Sequence, residues 1–446
     1  MSLIRYAINQ LFCKKIRVMI NVIQKLKFVV SFFLQLFKKY KSSFVNNHSN
    51  LTNKKVLQVQ KEINLNNNYY REQYEKKFSK IIGPGYSVSF ATARMGLSSL
   101  LKECNIIKNK EVIILGFTCS AVPLAIINVG AKPIYSDVNL DDFGSSLKEI
   151  KKKINKNTKA IIVQHSFGIP ANIECIIEYA KQKKIFVIED CAITLGSKIK
   201  NKKVGNFGDA AIFSTDHSKP INTLMGGIVY TKNYLLYKKL KKIEINLPEL
   251  SNKKKLSIFK QILLERKHIN SYLIVNLFYK FFILRHFSYP FLDKNIYNKP
   301  KVGCFDLLRM PTFLCVLGIH EIQKWKIRQN KQQKLFLRFI KFMKKNNIIH
   351  HLPKAYFNTN LKIIPSRIAW YEANGRFLRK ELQNIFNIQW TWFLKPVDNT
   401  PLPQKLFFYK SGSCKISEKI GKNIINLPMN IKNEKMVFEI IRKFYA

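Results

Sequence analysis

The sequence reads IFVIED at residues 185–190 and DAAIFS at residues 209–214, two short apolar runs. Runs that are apolar on both faces are typical of strands covered by helices on each side of a sheet. Five similar runs lie between residues 86 and 231, separated by helical patterns: YSVSF (86–90), EVIIL (111–115), PIYSD (133–137), KAIIVQH (159–165) and GIVYT (227–231). This alternation predicts an α/β fold with a largely parallel sheet.

Polar residues follow several of these strands, where ligands bind in open parallel sheets. Thr92 and Ala93 open a helix after the first run, and a hydroxyl with free N–H groups at a helix start binds anions. Asp190 ends the run IFVIED, where a buried carboxylate needs a cationic partner. Each residue also has a structural interpretation, Thr92 as an ordinary helix cap and Asp190 as a cap or a lysine partner.

A candidate nucleophile follows the run DAAIFS. Lys219 lies five residues after Ser214, and partial burial near positive charge would make its amine able to form a Schiff base with an aldehyde cofactor. Ser214 and Ser218 offer hydroxyls to a phosphate. Together with Thr92 and Asp190, these residues supply groups that bind a phosphate, a carboxylate that pairs with a pyridine nitrogen and an amine that bonds to an aldehyde. They indicate an enzyme that uses pyridoxal 5'-phosphate (PLP).

The stretches that contain these residues resemble the DegT/DnrJ/StrS family of sugar aminotransferases. The similar stretches are FATARMGL (90–97), EVIILGFTCSAVPLAI (111–126), GAKPIYSDV (130–138), TKAIIVQHSFGIPANI (158–173), VIEDCAITLGS (187–197), KVGNFGDAAIFSTDHSK (203–219), MGGIVYT (225–231) and INLPMN (425–430). The resemblance implies the PLP fold-type I architecture, with a three-layer α/β/α large domain and a smaller C-terminal α+β domain.

The resemblance also implies roles for individual residues. Lys219 would hold PLP and shuttle a proton. Asp190 would pair with the pyridine nitrogen and keep it protonated, so that the ring can accept electrons. The other positions implied to contact the cofactor are Thr92 and Ala93 in the phosphate turn, Ser214 as a further phosphate ligand, and Cys119, where the family often has an aromatic ring stacked on PLP.

Several family residues are replaced in this chain. The replacements are Ala91 for a glycine, Ile193 for a glutamine, Leu307 for an asparagine that reaches across the dimer, and Asn430 for a histidine. With Ile193, we expect one hydrogen bond to the hydroxyl of the cofactor to be absent. The replacements motivate the alternative that the chain is a degenerate, non-catalytic member with a binding or regulatory role.

The function implied by the resemblance is conversion of a nucleotide-linked keto sugar to an amino sugar, with glutamate as amino donor, for surface polysaccharide or related glycan synthesis. A homodimer is also implied. A PLP-dependent sugar dehydratase is the enzymatic alternative, because some relatives replace the lysine with histidine and dehydrate their substrate. His217 lies close by, but Lys219 is present and favours transamination.

Composition bears on partners and compartment. The 446 residues include 77 Lys+Arg against 27 Asp+Glu, a net charge of +50. The basic residues are spread over the whole chain, which favours a compositional bias, and without a zinc-finger or helix-turn-helix motif we expect no nucleic-acid partner. The eight cysteines form no CxxC pair, so we expect no metal site, no disulfide framework and a cytoplasmic location.

Four segments are predicted: a basic N-terminal extension and linker (1–75), a large PLP-binding domain (76–245), a basic aromatic insertion (246–305) and a small domain (306–446). Within the first, the Asn-rich stretch from Ser42 to about Asn68 is interpreted as the linker. Residues 1–40 and 256–291 mix aromatic residues with Lys and Arg. They are interpreted either as amphipathic helices peripheral to the anionic inner face of a membrane or as a loose tail and a packed helix. The uncharged run Phe28–Phe37 is too short to span a bilayer.

Overall fold

The structure is a computed structural model that describes residues 48–268, 300–382, 385, 392–398 and 400–446, except 49, 66 and 401. The membrane-surface interpretation of residues 1–40 and of most of 256–291 lies outside these residues. Within them, none of the helices combines the length and the apolar character that crossing a membrane requires.

A seven-stranded sheet forms the centre of the protein. Its strands start and end within one residue of the predicted runs: β1 (Tyr86–Phe90), β2 (Glu111–Leu115), β3 (Lys132–Ser136), β4 (Thr158–Gln164), β5 (Phe186–Asp190), β8 (Ala210–Ser214) and β9 (Gly227–Thr231). Their order in the sheet is β1-β9-β8-β5-β4-β2-β3. Strand β9 runs antiparallel to both of its neighbours, and the other adjacent pairs are parallel. The largely parallel α/β sheet is therefore confirmed.

Both faces of the sheet are buried. Along β4, Ala160 and Ile162 belong to one hydrophobic core, whereas Ile161 and Val163 belong to another. Successive side chains of a strand point to opposite faces, so the two cores lie on opposite sides of the sheet. The α-helices between residues 53 and 268 are α1 (Asn53–Lys61), α2 (Asn68–Ile82), α3 (Ala93–Glu103), α4 (Ala121–Asn128), α5 (Leu147–Lys151), α6 (Glu174–Gln182), α7 (Tyr234–Ile245) and α8 (Asn252–His268).

The N-terminal segment differs from the sequence prediction. Residues 53–61, interpreted as part of an Asn-rich linker, form helix α1. Val56 and Val59 lie three positions apart on its buried face, and Thr52 caps it by accepting a hydrogen bond from the Lys55 N–H at 3.4 Å. The linker interpretation is wrong at this point because the polar composition concealed a two-valine apolar stripe. Helix α2 also crosses the boundary predicted at residue 75.

The C-terminal part mixes helices with short strands. The long helix α9 (Thr312–Lys345) precedes an antiparallel pair, β11 (Arg367–Tyr371) with β12 (Ile424–Pro428). A separate hydrophobic core surrounds this pair. The remaining elements are α10 (Gly375–Leu382), α11 (Lys415–Asn423), α12 (Glu434–Tyr445) and the short strands β6 (Lys198–Ile199), β7 (Lys202–Lys203) and β10 (Leu361–Lys362). The domain boundaries at residues 245 and 305 remain predictions.

Candidate active site

One cavity at the carboxyl edge of the sheet brings together the residues that the resemblance implies to contact the cofactor, whereas Ser218 does not line it. It is lined by Thr92, Ala93, Cys119, Asp190, Ser214 and Lys219. Each of them follows or ends a strand, and in an open parallel sheet those ends meet at one edge. His217 is buried but does not line this cavity, so it is not placed to replace Lys219.

Helix α3 starts at this cavity. Thr92 caps it, since its hydroxyl accepts a hydrogen bond from the Met95 N–H at 3.3 Å. The cap interpretation is compatible with an anion site, because the first turn of a helix presents further N–H groups that lack intrahelical partners. Gly227 packs directly against this turn, and a Cβ there would overlap the backbone of Ala93. That close approach explains the glycine at position 227, whereas a Cβ at Gly226 would overlap the Thr215 hydroxyl.

Asp190 ends β5 and is 4% exposed. The Ala192 N–H donates to its Oδ1 at 2.9 Å, and no other described residue donates a hydrogen bond to this carboxylate. Burial raises the pKa of Asp190, although Lys219 and His165 oppose the shift. A buried carboxylate with unused acceptor capacity fits a protonated heterocyclic nitrogen.

Lys219 is half-buried in the loop after β8, where its backbone N–H donates to the Asp216 carbonyl oxygen at 3.1 Å. Burial lowers the pKa of its side chain, and the charge of Arg367 lowers it further. Cys119 and Asp216 act in the opposite direction. A lowered pKa leaves more of the amine uncharged and nucleophilic near neutral pH.

A segment from the C-terminal part completes the cavity. Residues 392–398 dock alongside the end of β2, where the Ser120 N–H donates to the Asp398 carbonyl oxygen at 2.8 Å. This docking brings Trp392 and Phe393 to the site, and both side chains are buried. Sequence reasoning missed them because no local pattern indicates which strand end a distant segment will contact.

Trp392 contacts two basic side chains. The Lys219 Nζ is 4.1 Å from the centroid of its ring, and the Arg367 guanidinium carbon is 4.0 Å from it. Arg367 starts β11 and donates from Nη1 to the Asn426 Oδ1 at 3.3 Å. Burial lowers the pKa of Arg367 to about 9. The site therefore concentrates positive charge near Lys219, which suits anionic ligands.

A second buried cluster lies behind the site, formed by His165, Glu189 and Cys191. The Ala171 N–H donates to the His165 Nδ1 at 3.0 Å, so the other ring nitrogen carries the hydrogen and donates to the Glu189 Oε2, also at 3.0 Å. Because both ring nitrogens are engaged within the protein, we interpret this cluster as a structural network and not as a metal site.

Comparisons with known proteins agree with this geometry. Residues 47–259 match the model of the DegT/DnrJ/EryC1/StrS aminotransferase family. A GDP-perosamine synthase of Escherichia coli O157:H7 is 38% identical over 168 residues, which are 38% of this chain and 46% of that protein. A UDP-N-acetyl-3-dehydro-alpha-D-glucosamine 3-aminotransferase of Acidithiobacillus ferrooxidans is 34% identical over 37% of this chain and 46% of its own length. The chain thus spans less than half of the length of these curated relatives.

Solved structures share the fold over most of the chain. A family aminotransferase from Brucella abortus superimposes with a TM-score of 0.67 at 18% identity, covering 89% of this chain and 96% of that one. The PLP form of the sugar aminotransferase Spr1654 from Streptococcus pneumoniae gives a TM-score of 0.66 at 16% identity, with 92% and 98% covered. Residues 47–259 are therefore similar to the DegT/DnrJ/EryC1/StrS aminotransferase family, and the chain shares the fold of solved structures of that family.

Proposed function

We propose that this protein is a PLP-dependent aminotransferase that converts a keto sugar to an amino sugar. One observation carries the proposal: a helix start that can bind an anion, a buried carboxylate that accepts one hydrogen bond from the described residues, and a lysine with a lowered pKa line the same cavity. The names of the relatives, which include enzymes that form GDP- and UDP-linked amino sugars, support a nucleotide-linked sugar as substrate.

The residues of the cavity fit PLP. The start of α3 at Thr92 and Ala93, with the Ser214 hydroxyl, would hold the phosphate. The Asp190 carboxylate would accept a hydrogen bond from the ring nitrogen, and the Lys219 amine would bond to the aldehyde carbon. When bound, PLP supplies an electron sink for the carbanion that forms at the carbon bearing the amino group.

Lys219 has a second role in the proposed reaction. When it is not bonded to the cofactor, its amine would accept the proton from the α-carbon of the amino donor and would then give that proton up again. A general base works best when its pKa lies near the operating pH, and the burial of Lys219 moves its pKa in that direction. Glutamate as donor, a homodimeric assembly and a role in surface polysaccharide synthesis are parts of the proposal. A relative that supports the last of these is the spore coat polysaccharide biosynthesis protein SpsC of Bacillus subtilis.

The proposal is tested with Lys219→Ala. We expect the wild-type protein to gain a visible absorbance band with PLP and to form an amino sugar with glutamate, and we expect the variant to lose both. Lys232→Ala is the matched control, since burial also lowers the pKa of Lys232 but it lies at the other end of β9, outside the cavity. A Lys219→Ala variant that keeps both the band and turnover contradicts the proposal.

Product analysis separates the alternatives. Mass spectrometry of reactions with and without glutamate distinguishes an amino sugar from a dehydrated one. A deoxy product without nitrogen would favour the dehydratase. A wild-type protein that stays colourless with PLP would favour the non-catalytic alternative.

A further inference from the structure

We propose that Gln164 is a further cofactor-contacting residue, which holds the ring hydroxyl of PLP from the strand next to Asp190. The inference rests on the proposed function. It assigns to Gln164 a polar contact with the cofactor that the Ile193 side chain does not provide. Gln164 ends β4, is 4% exposed and lines the cavity.

The first argument is the order of groups along the edge of the sheet. From β8 through β5 to β4, the strand ends present Ser214, then Asp190, then Gln164. Gln164 and Asp190 are paired in the register of adjacent parallel strands. Neighbouring strands lie about 4.8 Å apart, so one small ring can contact both side chains.

The second argument is the connectivity of the cofactor. In PLP, the hydroxyl and the arm that ends in the phosphate flank the aldehyde carbon on opposite sides. In the proposed pose, the phosphate lies at Thr92, after β1, and β1 is on the β8 side of Asp190 in the sheet. The hydroxyl then points to the other side of Asp190, where β4 and Gln164 lie.

The third argument is that the carboxamide of Gln164 is held in one orientation. Its Nε2 donates to the Phe117 carbonyl oxygen at 3.0 Å and to the Ser166 Oγ at 2.9 Å. A carbonyl oxygen can only accept, so the nitrogen must face Phe117. The Oε1 accepts a hydrogen bond from the Thr118 hydroxyl at 2.6 Å and keeps a second acceptor site.

The part of the cavity wall that follows Asp190 lacks this chemistry. Ile193 lines the cavity three residues after Asp190 and offers no polar atom from its side chain. Gln164 is the only carboxamide among the described residues that line the cavity, and the Thr118 hydroxyl is beside it. This pair can accept a hydrogen bond from the ring hydroxyl or, after rotation of the Thr118 hydroxyl, donate one to the ionised ring oxygen.

The test measures PLP binding instead of turnover. Apoprotein is titrated with PLP, and the dissociation constant is taken from the visible band. Gln164→Leu should raise this constant about two- to twelvefold, the effect of losing one hydrogen bond. It should also move the pH midpoint of the band, because the ring oxygen loses a partner. Adding Ile193→Gln to Gln164→Leu should bring both the dissociation constant and the pH midpoint back towards their wild-type values, since a carboxamide then reaches the ring from another wall.

Gln332→Leu is the matched control, because Gln332 is buried in α9 and does not line the cavity. A merely structural role of Gln164 would lower the melting temperature of the apoprotein without moving the pH midpoint, and Ile193→Gln would not repair it. Unchanged PLP affinity and pH midpoint in a folded Gln164→Leu protein overturn this inference and leave the proposed function standing. A wild-type protein that does not bind PLP overturns both.

Discussion

Glu189 and Asp190 are consecutive residues of β5, and their carboxylates face opposite sides of the sheet. Both are buried, yet their surroundings differ. Glu189 accepts hydrogen bonds from four groups, the backbone N–H groups of Gly205 (2.6 Å), Phe207 (2.6 Å) and Gly208 (2.8 Å) and the His165 ring (3.0 Å). Among the described residues, one group donates a hydrogen bond to Asp190, the Ala192 N–H. A buried acid with all its partners inside the protein holds the fold, whereas one with spare acceptors is available to a ligand.

The neighbouring strand repeats the same division. His165 faces Glu189, whose carboxylate holds the loop after β7, while Gln164, one residue earlier, faces the cavity beside Asp190. Successive side chains of a strand point to opposite faces, so one residue of each consecutive pair faces the cavity and the other faces the protein interior. The two faces therefore predict different consequences for the same kind of substitution.

The largest effect on stability is expected for Glu189→Ala. This substitution removes the acceptor of one buried and two partly buried backbone N–H groups and of the His165 ring, so it should lower the free energy of unfolding by about 3–5 kcal/mol. Urea unfolding of the apoprotein measures it. Asp190→Ala is the comparison and should lower that free energy by much less. Equal losses in the two variants would contradict the division between the faces.

Asp190→Asn should act on function instead. The amide keeps its oxygen for the Ala192 N–H, so the free energy of unfolding should stay within about 1 kcal/mol of wild type. It loses the negative charge that favours a protonated ring nitrogen, and turnover should fall about 100-fold or more. Steady-state kinetics on the PLP-loaded protein measure this. Wild-type turnover in a folded variant would show that Asp190 does not face the ring nitrogen.

The smallest effect concerns pH. The pKa of Asp190 is raised from its ordinary value of 3.8 in the folded apoprotein. The folded state therefore binds this proton more tightly, and the stability present below pH 3.8 is lost as pH rises through the folded-state pKa. The Asp190→Asn variant does not lose stability in this way, because the asparagine side chain does not titrate. The difference in unfolding free energy between variant and wild type should grow over that interval and then level off, and a flat difference would contradict the raised pKa.

Sequence reasoning succeeded where the signal is local. Apolar runs located the strands to within one residue, and the residues at their ends gave Thr92, Asp190, Ser214 and Lys219 as one constellation. It failed at α1, because an Asn-rich composition outweighed a short apolar stripe. It also passed over Gln164, although the rule that identified Asp190 applies equally to the end of β4.

The sequence by itself determined the strand–helix alternation, the caps and the identity of the strand-end residues, because periodicity and capping depend on neighbours within a few positions. Only the tertiary structure decided that the Trp392 ring contacts Lys219 and Arg367, and that Glu189 accepts four hydrogen bonds where Asp190 accepts one from the described residues. Those facts depend on how distant segments dock. Docking is determined by the packing of whole surfaces, which leaves no periodic trace in any one stretch of the chain.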